Sequence, residues 1–232
     1  YLNTHQIENC RLNMDLIRTA DTNLKYLIGS EELLELSIIV PTRNEAGNVI
    51  KLLQCLENAF KGRSVEVIFV DDSTDETPQV VENAVNDFPG LHVKLIHRLP
   101  KERTGGLGGA VIAGLRKADS DYACVMDGDL QHPPELVPVL LQKAVENKAD
   151  MVVATRRSQE SQVAGLSILR DFISRCLDLT ARIFFPKQLR GVSDPLTGFF
   201  LLRIKAIDLD SLKPNGFKIL LDILVRNPNL IK

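Results

Sequence analysis

Five short apolar segments alternate with helix-length segments along most of the chain, and this alternation limits what the chain can fold into. The apolar segments are rich in β-branched residues and lie at 36–40, 65–70, 91–96, 122–126 and 151–155. Strands buried on both faces of a sheet have this composition. The segments between them, at 46–61, 76–87, 108–118 and 134–147, have the length of helices. The alternation predicts an α/β fold with a mostly parallel central sheet, right-handed crossovers and flanking helices.

The residues before the first strand are set apart from this pattern. Residues 1–35 are polar with scattered apolar positions, which predicts one or two amphipathic helices in an accessory segment. We expect one α/β domain over residues 36–232. Because the chain starts at Tyr1 rather than at a methionine and stops at Lys232, we expect a fragment of a longer protein, cut short at its C-terminal end.

Charge and cysteine usage argue against several classes of function. Lys and Arg number 28 against 30 Asp and Glu, so the net charge of -2 gives no basis for binding nucleic acid. The 4 cysteines lie far apart without a Cys-x-x-Cys pair, which argues against zinc, a redox motif or a disulfide scaffold and favours a reducing compartment. No run reaches the roughly 18 apolar residues of a membrane span. Any anion site must therefore be local.

Polar residues follow each predicted strand, at the edge where parallel sheets bind their ligands. After the fourth strand, in "DGDLQHPPE", Asp127 and Asp129 point to the same side if strand geometry continues through Gly128. Mg²⁺ or Mn²⁺ uses one or two protein carboxylates and completes its shell with water and phosphate oxygens. Gln131 can add a third oxygen. The stretch predicts a metal and nucleotide site, and the alternative for an isolated D-x-D is a solvated acidic turn.

The other strand ends carry further candidates. Asp71 and Asp72 can accept hydrogen bonds from a ribose or a base N–H, and the alternative is a helix cap in which Ser73, Thr74 or Asp75 satisfies the first N–H groups of the next helix. Both can hold, with Asp75 in the cap and Asp72 at the ligand. Arg43 and Glu45 follow the first strand, where the alternative is a surface ion pair. The loop "RTGGLGGA" can bring backbone N–H groups to a pyrophosphate or serve as a flexible connector. It fits neither the dinucleotide fingerprint nor a P-loop, which argues against NAD-binding and ATPase functions.

The second half offers less certain patterns. Residues 166–185 repeat apolar residues at helical spacing with arginines between them. They form a core helix with a solvated basic face, or the arginines receive an anionic headgroup while "IFFP" lies against a membrane. "DPLTGFFLL" predicts a proline turn followed by a buried strand, and "NGFKILLDILV" predicts a helix.

Together these motifs resemble the family 2 glycosyltransferases of the GT-A fold, in the subgroup of dolichol-phosphate mannose synthases and related polyprenyl-phosphate glycosyltransferases. The resemblance covers about residues 36–226 and is carried, in family order, by "SIIVPTRNEAGNV", "EVIFVDDSTDET", "GLGGA", "VMDGDLQHPPE", "SDPLTGFFLL" and "GFKILL". It implies a Rossmann-like sheet and an inverting, metal-dependent enzyme that moves a sugar from a nucleotide-sugar to a polyprenyl phosphate. Mannose is the sugar that we expect. The donor stays open between GDP-mannose and a UDP-sugar. The implied place is the cytoplasmic face of a membrane, reached through segments outside this chain.

The resemblance also implies roles for single residues. The positions that correspond to the nucleotide pocket are Pro41, Arg43, Glu45, Asp71, Asp72 and Asp127. The positions that correspond to the metal site are Asp127, Asp129 and Gln131. The positions that correspond to contacts with sugar phosphate or acceptor phosphate are Arg156, Arg170, Ser174 and Lys218. Asp194 lies near the sugar. We expect Asp127, Asp129, Arg170 and Asp194 to be the catalytic residues. Two departures are that Gly128 stands where the family often has alanine, and that the chain ends before the family's distal basic segment.

Three other functions remain open at this point. A sugar-nucleotide pyrophosphorylase would carry a glycine-rich loop directly after the first strand, where this chain has "PTRNEAGN". A phosphatase with an aspartyl nucleophile would have D-x-D-x-[TV], but the fifth residue here is Gln131. A non-catalytic module would bind a nucleotide-sugar without turnover, so metal-dependent hydrolysis of the donor would argue against it.

Overall fold

The computed structural model describes residues 34–155, 180–214 and 218–232. The predicted accessory segment 1–35 lies almost entirely outside these residues, and so does most of the predicted helix at 166–185. Arg156, Arg170 and Ser174 also lie outside them. Within the part of the chain that the structure describes, no helix is both long enough and apolar enough to cross a membrane.

Strands and helices alternate over the described residues as the apolar segments predict. The strands are β1 (Leu36–Thr42), β2 (Val65–Asp71), β3 (His92–His97), β4 (Tyr122–Val125), β5 (Met151–Val153) and β6 (Phe200–Arg203). The α-helices with both ends described are α1 (Ala46–Ala59), α2 (Thr77–Ala84), α3 (Gly106–Leu115), α4 (Val137–Glu146) and α5 (Ile219–Arg226). Short 3₁₀ turns occupy Pro134–Leu136 and Ile204–Ala206.

These strands form one sheet in the order β3-β2-β1-β4-β6-β5. Neighbours from β3 to β4 are parallel, whereas β6 is antiparallel to both β4 and β5. This confirms the predicted α/β fold with a mostly parallel sheet. The chain runs outward from β1 to β3 and then returns to place β4 on the other side of β1. Ligands of such sheets bind in the crevice at this reversal, beyond the carboxyl ends of the strands.

Apolar side chains cover both faces of the sheet, which explains why its central strands are apolar at nearly every position. On one face, α1, α2 and α4 pack against residues that include Ile38 and Val40. On the other face, α3 and α5 pack against residues that include Ile39 and Ile68. Every residue of β1 and β2 is buried. The loops beyond their carboxyl ends are therefore held on a rigid support.

A buried charged cluster closes the amino edge of the sheet, opposite the crevice. The Glu66 carboxylate is fully buried and accepts hydrogen bonds from the Ser37 hydroxyl, from the Asp119 N–H at 2.7 Å and from Lys94 Nζ at 2.5 Å. Burial by itself lowers the pKa of Lys94, but hydrogen bonds and charges from Asp119 and Glu66 prevail and raise it. The cluster satisfies a carboxylate that would be costly to bury alone.

A second ion pair ties the last residues of the chain to the sheet. The Asp150 carboxylate accepts hydrogen bonds from Arg203 Nε at 2.9 Å and from the Ile231 N–H at 3.1 Å. The backbone N–H groups of Asp150 and Met151 both donate to the Ile231 carbonyl. Burial raises the pKa of Asp150, but the Arg203 and Ile231 hydrogen bonds and the Arg203 charge outweigh it and lower the pKa.

Candidate active site

The loops that follow β1 and β2 are locked together by side chain to backbone hydrogen bonds. Asn44 has φ of 61°, a left-handed conformation that asparagine tolerates. Its N–H donates to Ser73 Oγ at 2.7 Å, and its Oδ1 accepts the Thr74 N–H at 3.0 Å. The Glu45 N–H donates to Thr77 Oγ1 at 3.0 Å. The two loops are therefore joined by three hydrogen bonds at the carboxyl edge of the sheet.

Three predicted nucleotide-pocket residues lie at the end of β1 or directly after it. Pro41 is buried in the strand, whereas Arg43 is exposed and makes no hydrogen bond or ion pair with any described residue. The Glu45 carboxylate accepts a hydrogen bond from Asn48 Nδ2 at 2.6 Å. The alternative of an Arg43–Glu45 ion pair is therefore not what the structure shows. Arg43 remains available to an anionic ligand.

Asp71 lies beneath the loops and is fully buried. Its Oδ1 accepts hydrogen bonds from the Thr42 hydroxyl at 2.9 Å and the Ser73 hydroxyl at 2.5 Å. Its Oδ2 accepts the Ser73 N–H at 3.2 Å and His97 Nδ1 at 2.7 Å. Two carboxylate oxygens offer about four lone-pair positions. The predicted contact of Asp71 with a nucleotide would require one of these four bonds to break.

Asp72 is held by Arg98, a residue that belongs to none of the sequence motifs. Arg98 Nε and Nη2 donate to the two Asp72 oxygens at 2.8 and 2.5 Å. Arg98 also donates to the carbonyls of Thr104 and Gly106, at 3.4 and 2.9 Å. The glycine-rich loop is thus fixed to the β2 loop and is not a free connector. The sequence signal that could have indicated this ion pair is a basic residue directly after β3 and an acidic pair at the end of the neighbouring strand β2.

The cap prediction for the second loop is confirmed at Asp75. Its Oδ1 accepts the N–H of Thr77, the first residue of α2, at 3.0 Å. The Thr77 hydroxyl donates to the same oxygen at 2.6 Å. These hydrogen bonds lower the pKa of Asp75, with the Thr77 hydroxyl as the largest influence. Asp75 therefore satisfies the first N–H group of α2.

The D-x-D stretch begins two residues after β4 ends at Val125. Residues 128–129 form a turn and Leu130 has φ of 60°, so strand geometry does not continue through Gly128. The sequence placed both carboxylates on the same side on the condition that strand geometry continues, and this condition is not met. Asp129 Oδ1 instead accepts the Gln131 N–H at 3.0 Å, and the Gln131 side chain is exposed. The Asp127 side chain is 32% exposed.

The loop before β6 packs directly against Asp127. Because Val125 pairs with Phe200 in antiparallel register, continuation of the register puts Asp127 opposite Gly198. A Cβ atom on Gly198 would lie only 2.7 Å from Asp127 Oδ2. Glycine is therefore the residue that lets this loop approach the carboxylate so closely.

The same loop gathers two further candidates. Asp194 Oδ1 accepts the Leu196 N–H at 3.3 Å, which orders the start of the loop. Lys218 Nζ donates to the Leu196 carbonyl at 3.3 Å, from the position just before α5. The structure thus links Asp127, Asp194 and Lys218 through the loop at 194–198, although they are distant in sequence.

His132 packs beside Asp127. Its ring centroid lies 5.0 Å from that of Phe199, and its Nε2 lies 3.8 Å from Asp127 Oδ2. Among the described residues, no group of three His, Cys, Asp or Glu side chains could hold a metal ion unaided. The donor set at Asp127 and Asp129 still fits Mg²⁺ or Mn²⁺, since these ions take one or two carboxylates and fill the remaining positions with water and phosphate oxygens.

Known proteins were compared with this chain by sequence. The model of the family described as "Glycosyl transferase family 2" matches residues 37–208. The dolichol-phosphate mannosyltransferase of Pyrococcus furiosus is 38% identical over 194 residues, which are 83% of this chain and 53% of that protein. The enzyme of the same name from Saccharomyces cerevisiae is 34% identical, over 84% of this chain and 72% of the relative. An undecaprenyl-phosphate mannosyltransferase from Micrococcus luteus is 31% identical, over 84% and 78%. The chain thus spans about half the length of the Pyrococcus relative.

Solved structures show the same fold at lower identity. A glucosyl-3-phosphoglycerate synthase from Mycobacterium tuberculosis superimposes with a TM-score of 0.57 at 20% identity, over 84% of this chain and 67% of that chain. The same enzyme in complex with Mn²⁺, UDP-glucose and glycerol 3-phosphate gives a TM-score of 0.55 at 20% identity, over 83% and 66%. These neighbours identify the fold as that of the GT-A glycosyltransferases.

Proposed function

We propose that this chain, which belongs to glycosyl transferase family 2, is the sugar-transferring part of an enzyme that moves mannose from a nucleotide-sugar to a polyprenyl phosphate. The observation that carries the proposal is the packing of the 194–198 loop against Asp127, next to Gly128, at which a Cβ atom would lie 3.1 Å from the Thr42 side chain at the end of β1. This contact lies at the reversal of the sheet. The names of the relatives support the choice of mannose and of a lipid phosphate. Because the chain spans about half of the Pyrococcus relative, the activity is proposed for the whole protein.

We propose that the donor's diphosphate lies over the β4 loop. Asp127 and Asp129, with Gln131 as a third oxygen ligand, would hold Mg²⁺ or Mn²⁺ there. When bound, the cation neutralises charge that grows on the departing nucleoside diphosphate. The neighbour solved with Mn²⁺ and UDP-glucose supports the use of a divalent cation with this fold.

The nucleoside part of the donor would extend from there along the carboxyl edge, over β1 and β2. Arg43 is exposed, and no described residue contributes a counter-ion to it, so its guanidinium is placed to meet a phosphate. Pro41, Glu45 and Asp72 shape the remainder of the pocket. Arg98 holds the Asp72 carboxylate in place with two hydrogen bonds.

The transfer itself is a single displacement. An oxygen of the acceptor phosphate forms a bond to the anomeric carbon of the sugar. The bond from that carbon to the donor's diphosphate breaks, and its electron pair leaves with the diphosphate. The acceptor is already anionic at neutral pH, so no protein base has to remove a proton, and the attack inverts the anomeric centre.

We propose that Asp194 contacts the sugar and that Lys218 meets a phosphate. Both lie at the loop that abuts Asp127. Arg156, Arg170 and Ser174, which lie outside the described residues, are proposed to hold the sugar phosphate and the acceptor phosphate, with Arg170 as the clamp on the acceptor. The lipid acceptor places the reaction at a membrane surface, and we propose the cytoplasmic face.

Donor binding is the first test of the proposal. The melting temperature is measured with GDP-mannose, UDP-glucose and UDP-N-acetylglucosamine, each with and without Mn²⁺. A ligand at about 100 times its Kd adds about 2.7 kcal/mol to the free energy of unfolding. For a domain of this size that is a rise of roughly 5 to 11 °C. We expect a metal-dependent rise with GDP-mannose that Asp129→Asn abolishes.

Transfer is then measured on the full-length protein with a short-chain polyprenyl phosphate and each donor. Formation of the lipid-linked sugar with GDP-mannose supports the proposal. Preference for a UDP-sugar would move the assignment to the alternative donor with the same acceptor class. Binding of a donor without transfer or hydrolysis would identify a non-catalytic module instead.

A further inference from the structure

A buried aspartate and a partly exposed histidine form a pair at the carboxyl ends of β2 and β3. Asp71 and His97 are partners in the parallel register, so their side chains lie on the same face of the sheet. His97 Nδ1 lies 2.7 Å from Asp71 Oδ2. Asp71 is fully buried and holds four protein donors, whereas the His97 side chain is 33% exposed. The exposed member of the pair is therefore the one placed to meet a ligand.

The pair fixes which nitrogen of His97 is presented outward. A carboxylate only accepts hydrogen bonds, so the proton lies on Nδ1. In the neutral ring Nε2 is then an acceptor, held in direction by the Asp71 bond. His97 Nε2 makes no hydrogen bond with any described residue. A fixed, unused acceptor thus lies at the carboxyl end of β3.

Strand spacing indicates which part of a nucleotide reaches this acceptor. β3 and β4 are three strand positions apart, which is a separation of about 14 Å at the usual spacing of neighbouring strands. An extended nucleoside diphosphate has comparable length. If its diphosphate lies at Asp127 and Asp129 on the β4 loop, its base lies at β3, and the ribose lies between them.

We propose that His97 is a specificity-determining residue that accepts a hydrogen bond from the ring N–H of the donor's base, with Asp71 as the residue that positions it. This proposal rests on the proposed function, since it takes the nucleotide site as given. Guanine and uracil carry a ring N–H on their pairing edge. Adenine and cytosine carry an acceptor at the equivalent ring nitrogen. His97 would thus favour the first two bases over the second two.

The two amide side chains separate the two nitrogens of His97. Asn places an N–H near the position of Nδ1, so His97→Asn keeps the partner of Asp71 and loses the outward acceptor. Gln places its carbonyl oxygen near the position of Nε2, so His97→Gln keeps an acceptor for the base. His92→Asn, at the other end of β3, is the matched control.

The experiment measures by calorimetry the binding of GDP, UDP and their ring-N-methyl derivatives to the chain with Mg²⁺. Of GDP and UDP, the one that wild type binds more tightly is expected to bind His97→Asn about threefold to tenfold more weakly. This is the range for the loss of one hydrogen bond. The methylated nucleotide is expected to bind wild type and His97→Asn equally weakly. His97→Gln is expected to bind more tightly than His97→Asn, and His92→Asn like wild type.

Three results would overturn the proposal. His97→Asn could bind like wild type, which would make the pair structural. The loss could be equal for methylated and unmethylated nucleotides, which would place the contact on the ribose. The two His97 variants could rank in the opposite order. If wild type binds none of the nucleotides, the proposed function fails before any variant is measured, and this proposal fails with it.

Discussion

Gly198→Ala introduces one methyl group at the point where the β6 loop meets the Asp127 carboxylate. The added Cβ would lie 2.7 Å from Oδ2, 3.0 Å from Oδ1 and 3.1 Å from Cγ of Asp127. Ordinary contact begins near 3.4 Å, so the carboxylate must retreat by about 0.7 Å or the loop must move away. Gly198 does not have a positive φ, so alanine fits the backbone, and the strain falls on the contact.

The expected effects on stability and on function differ in size. Turning the Asp127 side chain about 30° from its rotamer costs on the order of 0.5–1.5 kcal/mol. That corresponds to a fall in Tm of roughly 1 to 6 °C for a domain of this size. Mutation of a group that orients a metal ligand typically costs about 10- to 100-fold in metal affinity or activity, and we expect a displaced Asp127 to cost as much. We therefore expect a nearly intact fold with strongly weakened Mn²⁺-dependent binding of the donor.

The assay is calorimetric titration of the nucleotide-sugar in the presence of Mn²⁺, with Tm measured on the same samples. Gly47→Ala is the control, because a Cβ there has nothing within 4 Å and lies in α1. It should leave binding unchanged and raise Tm slightly, since alanine favours the helix. If Gly198→Ala binds the metal and donor as wild type does, Asp127 is not a ligand and the reasoning fails.

Three further substitutions test other parts of the structure. Glu66→Gln removes a buried charge with three donors and should cost about 2 to 3 kcal/mol, a fall in Tm of roughly 4 to 12 °C. Asp150→Asn should lower Tm at pH 7, because a folded pKa below the unfolded value adds stability above about pH 4 that is lost as pH falls through the folded pKa. Its Tm should therefore meet that of wild type in acid. Arg98→Lys should weaken donor binding severalfold, because lysine cannot make the two-point bond to Asp72.

Each of these has an outcome that contradicts it. A Tm of Glu66→Gln equal to that of wild type would mean that the buried cluster contributes nothing to stability. If the difference in Tm between Asp150→Asn and wild type stays constant from pH 7 to pH 2, ionisation of the Asp150 carboxyl is not the source of that difference. Donor binding by Arg98→Lys equal to that of wild type would mean that the two-point bond to Asp72 does not support the nucleotide pocket.

The sequence predicted the sheet well because its signal is local. The apolar runs at β1 and β2 are buried at every position, so composition alone located both strands to within two residues. The fourth predicted helix is divided into a 3₁₀ turn and α4, which begins at Val137. Pro138 lacks a backbone N–H and is tolerated only in a first turn, which is consistent with the later start.

The candidate site was less predictable, since its geometry depends on contacts between distant segments. Strand alternation could not foresee that the backbone turns at residues 128–129, directly after Asp127. Asp71 is held in part by His97 on a neighbouring strand, a residue that belongs to none of the motifs. The contact of Gly198 with Asp127 follows from antiparallel pairing of β6, which no residue pattern specifies.

The reversed strand β6 also decides the order in which the protein can form during synthesis. β1, β2 and β3 are consecutive in the chain and pair with one another as soon as they emerge. Val125 of β4 can pair with β6 only after Phe200 has been synthesised, about 75 residues later. Until then the outer edge of β4 presents unpaired backbone groups that another chain can join. The interval before β6 emerges is therefore when the nascent protein is most exposed to misassembly.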